Sequence, residues 1–295
     1  MKVRFAVAPG PASIDPGGYA ELVDGLEAKG FDTIWLSDVP MAGGVLDPVV
    51  GLALAAGRTS RLKLGANVVP VGRNPFRLAK ELAQLDRLSG GRILLSFVPG
   101  LDHPAERESL GSPGDRGRFL DEVIPLVRRW WAGETVEHHS PRFDFPGVAL
   151  GVSPVQRPLE VWVGGIGPRA LTRAGCLADG WLGAAVTAAE AGAARARIEE
   201  AAAGAGRTID PEHFGLSLPY ARRQPDAVAY EALRRRRPDV DPAELLPVGR
   251  DSLRTTVRAL IGEGISKFVV RPSTPVDSWD EELDWLQDAV IDLQA

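Results

Sequence analysis

Short apolar runs alternate with longer amphipathic ones along the chain, and this alternation is its strongest structural signal. Val3–Ala8 predicts a first strand. Tyr19, Leu22, Val23 and Leu26 fall at helical spacing, and Gly30 stops that helix. Thr33–Leu36 predicts a second strand, and Asp47-Pro48 opens a helix carrying Val49, Val50, Leu52, Ala53 and Leu54. Leu62–Val69 predicts a third strand. Pro75 suits a first helical position, where its missing N–H would have no partner. It opens a helix with Phe76, Leu78, Ala79, Leu82, Leu85 and Leu88 in period. Gly90-Gly91 ends that helix, and Arg92–Val98 predicts a fourth strand. The later strands are expected at Glu160–Val163, Gly180–Leu182, Gly215–Leu218 and Lys267–Val270. Strand–helix alternation predicts a parallel α/β sheet joined by right-handed crossovers. Over 295 residues it favours a (β/α)8 TIM barrel, with residues 1–295 as one domain. A doubly wound open sheet is the competing architecture.

Three insertions break the rhythm. Residues 99–117 are rich in glycine, proline and charge and predict an extended loop after strand four, at the end of a barrel where active sites are built. Residues 135–150, with Pro141 and Pro146-Gly147, predict a hairpin-like excursion before strand five. Residues 222–249 read as irregular. Their Arg234–Arg237 run predicts a solvated helix end, with an anion-contacting segment over the active site as the other reading. Asp115–Trp131 has good helical spacing, yet Pro125 lies inside it. An interior proline costs about 3 kcal/mol, so the helix is either kinked or split there.

Composition narrows the function classes. The hydrophobic share of 44% and charged share of 25% are those of an ordinary globular protein. A net charge of −5 argues against nucleic-acid or anionic-membrane partners, which need a dominant basic face. The single cysteine, Cys176, precludes an intramolecular disulfide and points to a reducing, cytoplasmic location. The N-terminal apolar run is too short for a signal peptide, and no stretch is long enough to predict a membrane span. The four histidines, His103, His138, His139 and His213, have no metal-ligand spacing with Cys176 or the acids, so no catalytic metal is expected.

Gly164-Gly165-Ile166-Gly167-Pro168-Arg169 follows a strand and opens a helix. Free N–H groups and the helix dipole there favour a phosphate, Arg169 adds charge, and the glycines allow close approach. A plain glycine turn is the simpler reading. Asp38 and Val98 stand at the C-terminal, catalytic ends of strands two and four. The tryptophans Trp35, Trp162 and Trp181 are expected in barrel packing.

Several segments, in order, resemble the luciferase-like family of flavin- and deazaflavin-dependent enzymes. They are Gly30–Asp38, Arg58–Gly65, Arg73-Asn74-Pro75 with Leu85–Arg92, Val161–Gly165 with Ala178–Trp181, and Val248-Gly249 with Gly264-Ile265 and Phe268-Val269. The resemblance implies a TIM barrel and a cofactor phosphate at Gly164, Gly165, Ile166, Gly167 and Arg169. It also implies a ring contact at Ala66, Asn67 and Val68, where relatives carry a backbone bulge, often with a non-prolyl cis peptide. Two positions depart from the pattern. Val39 stands where many deazaflavin-using relatives have a histidine, and Ser96–Gly100 replaces a glycine-rich segment, without the acid found in some sugar dehydrogenases. Asp38 therefore remains as a ring contact or proton relay, and Asp102 and His103 are the nearest replacement acid/base groups. The expected cofactor is coenzyme F420, with flavin mononucleotide (FMN) as the alternative. The expected activity is hydride transfer to or from a small organic substrate. The alternatives are an FMN-dependent monooxygenase using dioxygen and a barrel that binds cofactor without catalysis. A homodimer or higher homo-oligomer is expected, as is common in the family.

Overall fold

The computed structural model describes residues 1–10, 15–42, 44–101, 103–111, 114–225 and 227–294. The first half of the chain runs β1 (Arg4–Val7), α1 (Pro16–Ala28), β2 (Thr33–Ser37), α2 (Pro48–Arg58), β3 (Lys63–Val68), α3 (Pro75–Ser89) and β4 (Ile93–Phe97). Then come α4 (Pro104–Ser109), α5 (Arg116–Trp131), a hairpin of β5 (Thr135–His139) and β6 (Asp144–Ala149), and β7 (Val161–Gly164). The remainder is α6 (Pro168–Leu177), β8 (Gly180–Ala184), α7 (Ala188–Gly204), β9 (Phe214–Tyr220), α8 (Ala227–Arg236), α9 (Pro242–Leu245), α10 (Arg250–Gly262), β10 (Lys267–Pro272) and α11 (Trp279–Val290), with a closing 3-10 turn at Ile291–Leu293.

Local chemistry sets the boundaries. Helices α1, α2 and α3 each start on a capping side chain followed by proline: Asp15, Asp47 and Asn74 accept from the exposed N–H groups of the first turn. Gly90 ends α3 in the left-handed conformation, φ 68°. Helix α5 runs through Pro125 as one element, so the chain does not split there. Residues 222–249, read as irregular, carry two short helices, α8 and α9. Only Arg234, Arg235 and Arg236 of the arginine run are exposed; Arg237 is buried against Glu190 and Asp239.

The strands close in the order β1, β10, β9, β8, β7, β4, β3, β2, all parallel, and closure excludes the open doubly wound sheet. β5 and β6 form a separate antiparallel pair with a register shift at Val136/Glu137. The core has two parts. The larger lies between barrel and helices. The smaller, Ala6, Ala8, Trp35, Trp162, Leu182 and Val269, fills the lumen. Gly65 gives Trp35 its room there: a Cβ would lie 2.1 Å from the indole ring. Trp181 packs in the outer layer.

The N-terminal end of the barrel is closed by paired charge. The Asp32 carboxylate accepts from Lys267 Nζ at 2.9 Å, with Lys63 at 3.3 Å and Arg4 at 3.5 Å. Burial pushes the Asp32 carboxyl up, but Lys267 and Lys63 overrule it and hold it below the usual range. Arg92 donates to the carbonyls of Ala56, Thr59, Leu62 and Ser89, tying α2 and α3 to the start of β3.

Candidate functional site

Side chains alternate along a strand, so the lumen residues identify the inward face of each strand. On β3, Gly65 meets Trp35, which places Asn67 inward one step nearer the C-terminal mouth. Its Nδ2 donates to Ser37 Oγ at 3.0 Å, also inward on β2. On β4, Leu94 packs on the lumen cluster, and Ser96 and Val98 follow on the same face. On β7, Trp162 is followed by Gly164, where a Cβ would lie 2.8 Å from Val98 Cγ1. The inward stripe is therefore apolar in the middle of the barrel and polar or small toward the mouth.

That stripe carries unmet hydrogen-bonding capacity. Asn67 Oδ1, Ser96 Oγ and Trp35 Nε1 are buried and have no partner among the described residues. Two more such atoms, Glu106 Oε2 and Ser273 Oγ, lie just beyond the same end of the barrel. Leaving a buried polar group unpaired costs about 1–3 kcal/mol, so a cluster of them marks a place where something else is to be bound.

The Gly164–Arg169 loop lies one strand beyond β4. Gly165 takes φ +114°, open to glycine, and its carbonyl accepts from Trp181 Nε1 at 2.8 Å, which pins the turn. Gly167 is the N-cap of α6 and Pro168 its first residue, with no side chain capping the helix. The N–H groups of Ile166, Gly167 and Arg169 have no backbone acceptor among the described residues. Gly165 through Arg169 are exposed, and the Arg169 side chain makes no ion pair among the described residues. Three free donors, a helix dipole and an exposed guanidinium that makes no ion pair among the described residues, though its charge reaches Asp115, make this loop able to take a phosphate.

Asp38 faces the other way. Its carboxylate, 7% exposed, accepts from Val69 N–H at 3.1 Å and from Arg73 at 3.0 Å, and Arg73 also bridges to Asp47 at 3.2 Å. Burial pushes the Asp38 carboxyl up, and Arg73 opposes it. Asp38 and Val39 line a cavity of about 420 Å³ with Val45, Val69, Val71 and Leu110. His103 is exposed and precedes α4 without capping it. Asp102 lies outside the described residues. Glu106 is buried, and its Oε1 accepts from Leu101 N–H at 2.7 Å. The structure therefore brings Asn67, Val98, Gly164 and the Ile166–Arg169 loop around one mouth, and sets Asp38 beside it and His103 outside it.

Residues 2–261 match the luciferase-like monooxygenase family. The chain belongs to that family. It is 34% identical over 208 residues to the limonene 1,2-monooxygenase of Rhodococcus erythropolis, covering 67% of this chain and 53% of that protein. It is 31% identical over 165 residues to the F420-dependent hydroxymycolic acid dehydrogenase of Mycobacterium tuberculosis, covering 53% of this chain and 46% of that one. The chain thus spans about half the length of these curated relatives. Among solved structures, the coenzyme F420-dependent tetrahydromethanopterin reductase of Methanopyrus kandleri superposes over 100% of both chains, with a TM-score of 0.83 and 21% identity. The monooxygenase RslO1 of Streptomyces bottropensis covers 98% of this chain and 99% of that one, with a TM-score of 0.82 and 23% identity. These likenesses show the fold.

Two expectations drawn from the luciferase-like resemblance need restating. β3 of this luciferase-like barrel pairs in unbroken register with β2 through Ser37↔Asn67 and with β4 through Val68↔Phe97, so no bulge forms at Asn67-Val68. The cis peptide bond among the described residues is Arg157–Pro158. Ala66 and Val68 turn their side chains outward into the barrel–helix core, so they can meet a ligand only through backbone. Ser96 and Glu106 were missed as site residues. Ser96 had a signal, since a polar residue stands on the same strand face as Leu94 and Val98. Glu106 had none, because α4 is too short to show a periodicity.

Proposed function

We propose that the chain binds deazaflavin coenzyme F420 in the barrel mouth and catalyses hydride transfer to or from a small organic substrate. The observation that carries this reading is the cluster of unpartnered polar atoms on the inward stripe, set near a phosphate-competent loop. A deazaflavin or flavin ring offers carbonyl oxygens and a ring N–H along its pyrimidine edge. These complement the amide oxygen of Asn67, the hydroxyl of Ser96 and the indole N–H of Trp35. The residues present therefore fit the group. Asn67, Ser96 and the β3 backbone would hold the ring edge; Ile166, Gly167 and Arg169 would hold the phosphate. When bound, the cofactor supplies the hydride acceptor or donor.

The protein's part is binding, orientation and proton handling. The lumen below is sealed by Trp35 and Trp162, which exclude water from the barrel interior. Asp38 acts as a positioning residue: through Val69 N–H and Arg73 it holds the end of β3 that presents Asn67. With Val39 in place of a histidine, Glu106 is a buried carboxyl at this end that could hold a proton, and His103 is an exposed acid/base group. The deazaflavin reading draws support from relatives named as F420-dependent. The match to a limonene monooxygenase favours a second reading, an FMN-dependent monooxygenase using the same ring and phosphate contacts. Fluorescence titration of the purified chain with each cofactor tests both. Quenching by F420 with no response to FMN is expected. A response to FMN alone would select the second reading, and no response to either would end both.

A further inference from the structure

Arg271 stands at the last inward position of β10. Val269, two residues earlier, belongs to the lumen cluster, and alternation puts the Arg271 side chain on the same face at the mouth. Its partner in register on β9 is Pro219, and Ala8 follows the β1 register on its other side. Neither carries charge. Among the described residues Arg271 makes no hydrogen bond or ion pair. Other arginines near this end are engaged: Arg73 with Asp38 and Asp47, Arg222 with Glu282, Arg237 with Glu190 and Asp239. Among the described residues, the charged group that acts on Arg271 is another cation, Arg236 at the end of α8. Arg236, exposed at the helix end, makes no hydrogen bond or ion pair among the described residues either. Burial among the walls of the mouth, helped by Arg236, pushes the Arg271 guanidinium down to about 10, still charged at neutral pH. Two neighbouring arginines with no acid beside them among the described residues repel, and an anion held between them relieves that repulsion. A guanidinium fork also matches a carboxylate or phosphate in two parallel hydrogen bonds.

β10 lies three strands around the barrel from β7 and three from β3, so Arg271 faces the phosphate loop and Asn67 across the mouth. We propose that Arg271 and Arg236 form an oxyanion clamp for the substrate, which makes the substrate a small organic anion bearing a carboxylate or phosphate group. This rests on the cofactor reading above, since the substrate must lie over the ring while its anionic end reaches β10.

The test is isothermal titration of the full chain with benzoate and with inorganic phosphate, alongside cofactor titration by fluorescence. Wild type is compared with Arg271→Met, Arg271→Gln and Arg236→Met. The same titrations in an Arg169→Glu background remove phosphate bound at the Ile166–Arg169 loop. Arg271→Met should fold, since it deletes an unpaired charge and leaves no partner bare; circular dichroism checks this, and Arg271→Gln gives a second reading. At least one probe should bind wild type. Affinity should fall about tenfold or more in both Arg271 variants and about threefold in Arg236→Met, with cofactor affinity within about twofold. Loss confined to benzoate assigns a carboxylate substrate, and loss confined to phosphate assigns a phosphate ester. Equal binding to wild type and both Arg271 variants overturns the clamp, as does no binding to wild type. Loss of cofactor rather than probe affinity also overturns it, because Arg271 would then serve the cofactor. If probe binding falls in the Arg271 variants while wild type binds neither cofactor, the clamp stands and the cofactor reading fails.

Discussion

The two ends of the barrel handle polar groups in opposite ways. At the N-terminal end, charge is neutralised within the chain. Asp32 gathers Lys267, Lys63 and Arg4; Arg92 satisfies four carbonyls; Glu27 accepts from the backbone of Ser60, Arg61 and Leu62. In the lumen and at the C-terminal end, Asn67, Ser96, Trp35, Glu106 and Ser273 each leave a buried polar atom, and Arg271 a charge, without a partner among the described residues. The N-terminal end is satisfied within the chain. The mouth keeps, beside its own ion pairs, unmet groups whose free-energy cost a bound ligand would recover.

The largest expected contrast comes from cutting a pair at the closed end. Asp32→Ala leaves buried Lys267 without its partner and should cost about 3–5 kcal/mol in denaturant unfolding, with cofactor affinity of the folded protein unchanged. A loss below about 1 kcal/mol would mean that this pair does not hold the barrel closed. At the mouth the effects should reverse. Arg169→Glu removes a free guanidinium and adds repulsion, so cofactor affinity should weaken about tenfold to a hundredfold. Stability should move by less than about 0.5 kcal/mol, as for an unpaired surface residue. Unchanged cofactor affinity would remove the phosphate assignment.

Glu27 sharpens the contrast through pH. Burial pushes its carboxyl up, but the N–H groups of Ser60, Leu62 and Arg61 and the Ser60 hydroxyl overrule it and hold it down to about 2. A depressed carboxyl contributes stability that is present above its unfolded value of 4.5 and lost as pH falls through about 2. Discounted for solvent screening, wild type should exceed Glu27→Gln by about 1 kcal/mol at pH 7, with the gap closing toward pH 2. A gap that does not change with pH would assign Glu27 a purely steric role. The smallest effect is the most telling in sign. Ser96→Ala removes a hydroxyl that has no partner, so it should raise stability by about 0.5–1 kcal/mol while weakening cofactor affinity about threefold. A loss of stability would show that Ser96 is already satisfied.

The barrel was readable because apolar runs and helical periods alternate all along the chain. The hairpin at residues 135–150 was readable from Pro141 and Pro146-Gly147 between short polar–apolar alternations. Helix α8 was not, because four successive arginines mask its periodicity. The site was readable where backbone chemistry defines it. Glycines and Pro168 announce the phosphate loop wherever a strand runs into a helix. It was not readable where side-chain direction decides. Barrel strands are buried on both faces, so their sequence does not say which residues look inward. Asn67 and Val68 read alike as ring contacts, yet one enters the lumen and the other packs outward. Asp38 reads as a catalytic-end acid, yet its carboxylate is spent on Val69 and Arg73. Arg271 is invisible by the same rule until Val269 is seen in the lumen.

The contrast between the two ends is tested most directly by a crystal structure of the chain soaked with F420. The expected result is cofactor density in the mouth, its ring edge paired with Asn67 Oδ1 and Ser96 Oγ and its phosphate on the N–H groups of Ile166, Gly167 and Arg169. Cofactor bound instead in the cavity beside Asp38, or ordered water filling all of these positions with no cofactor present, would contradict it.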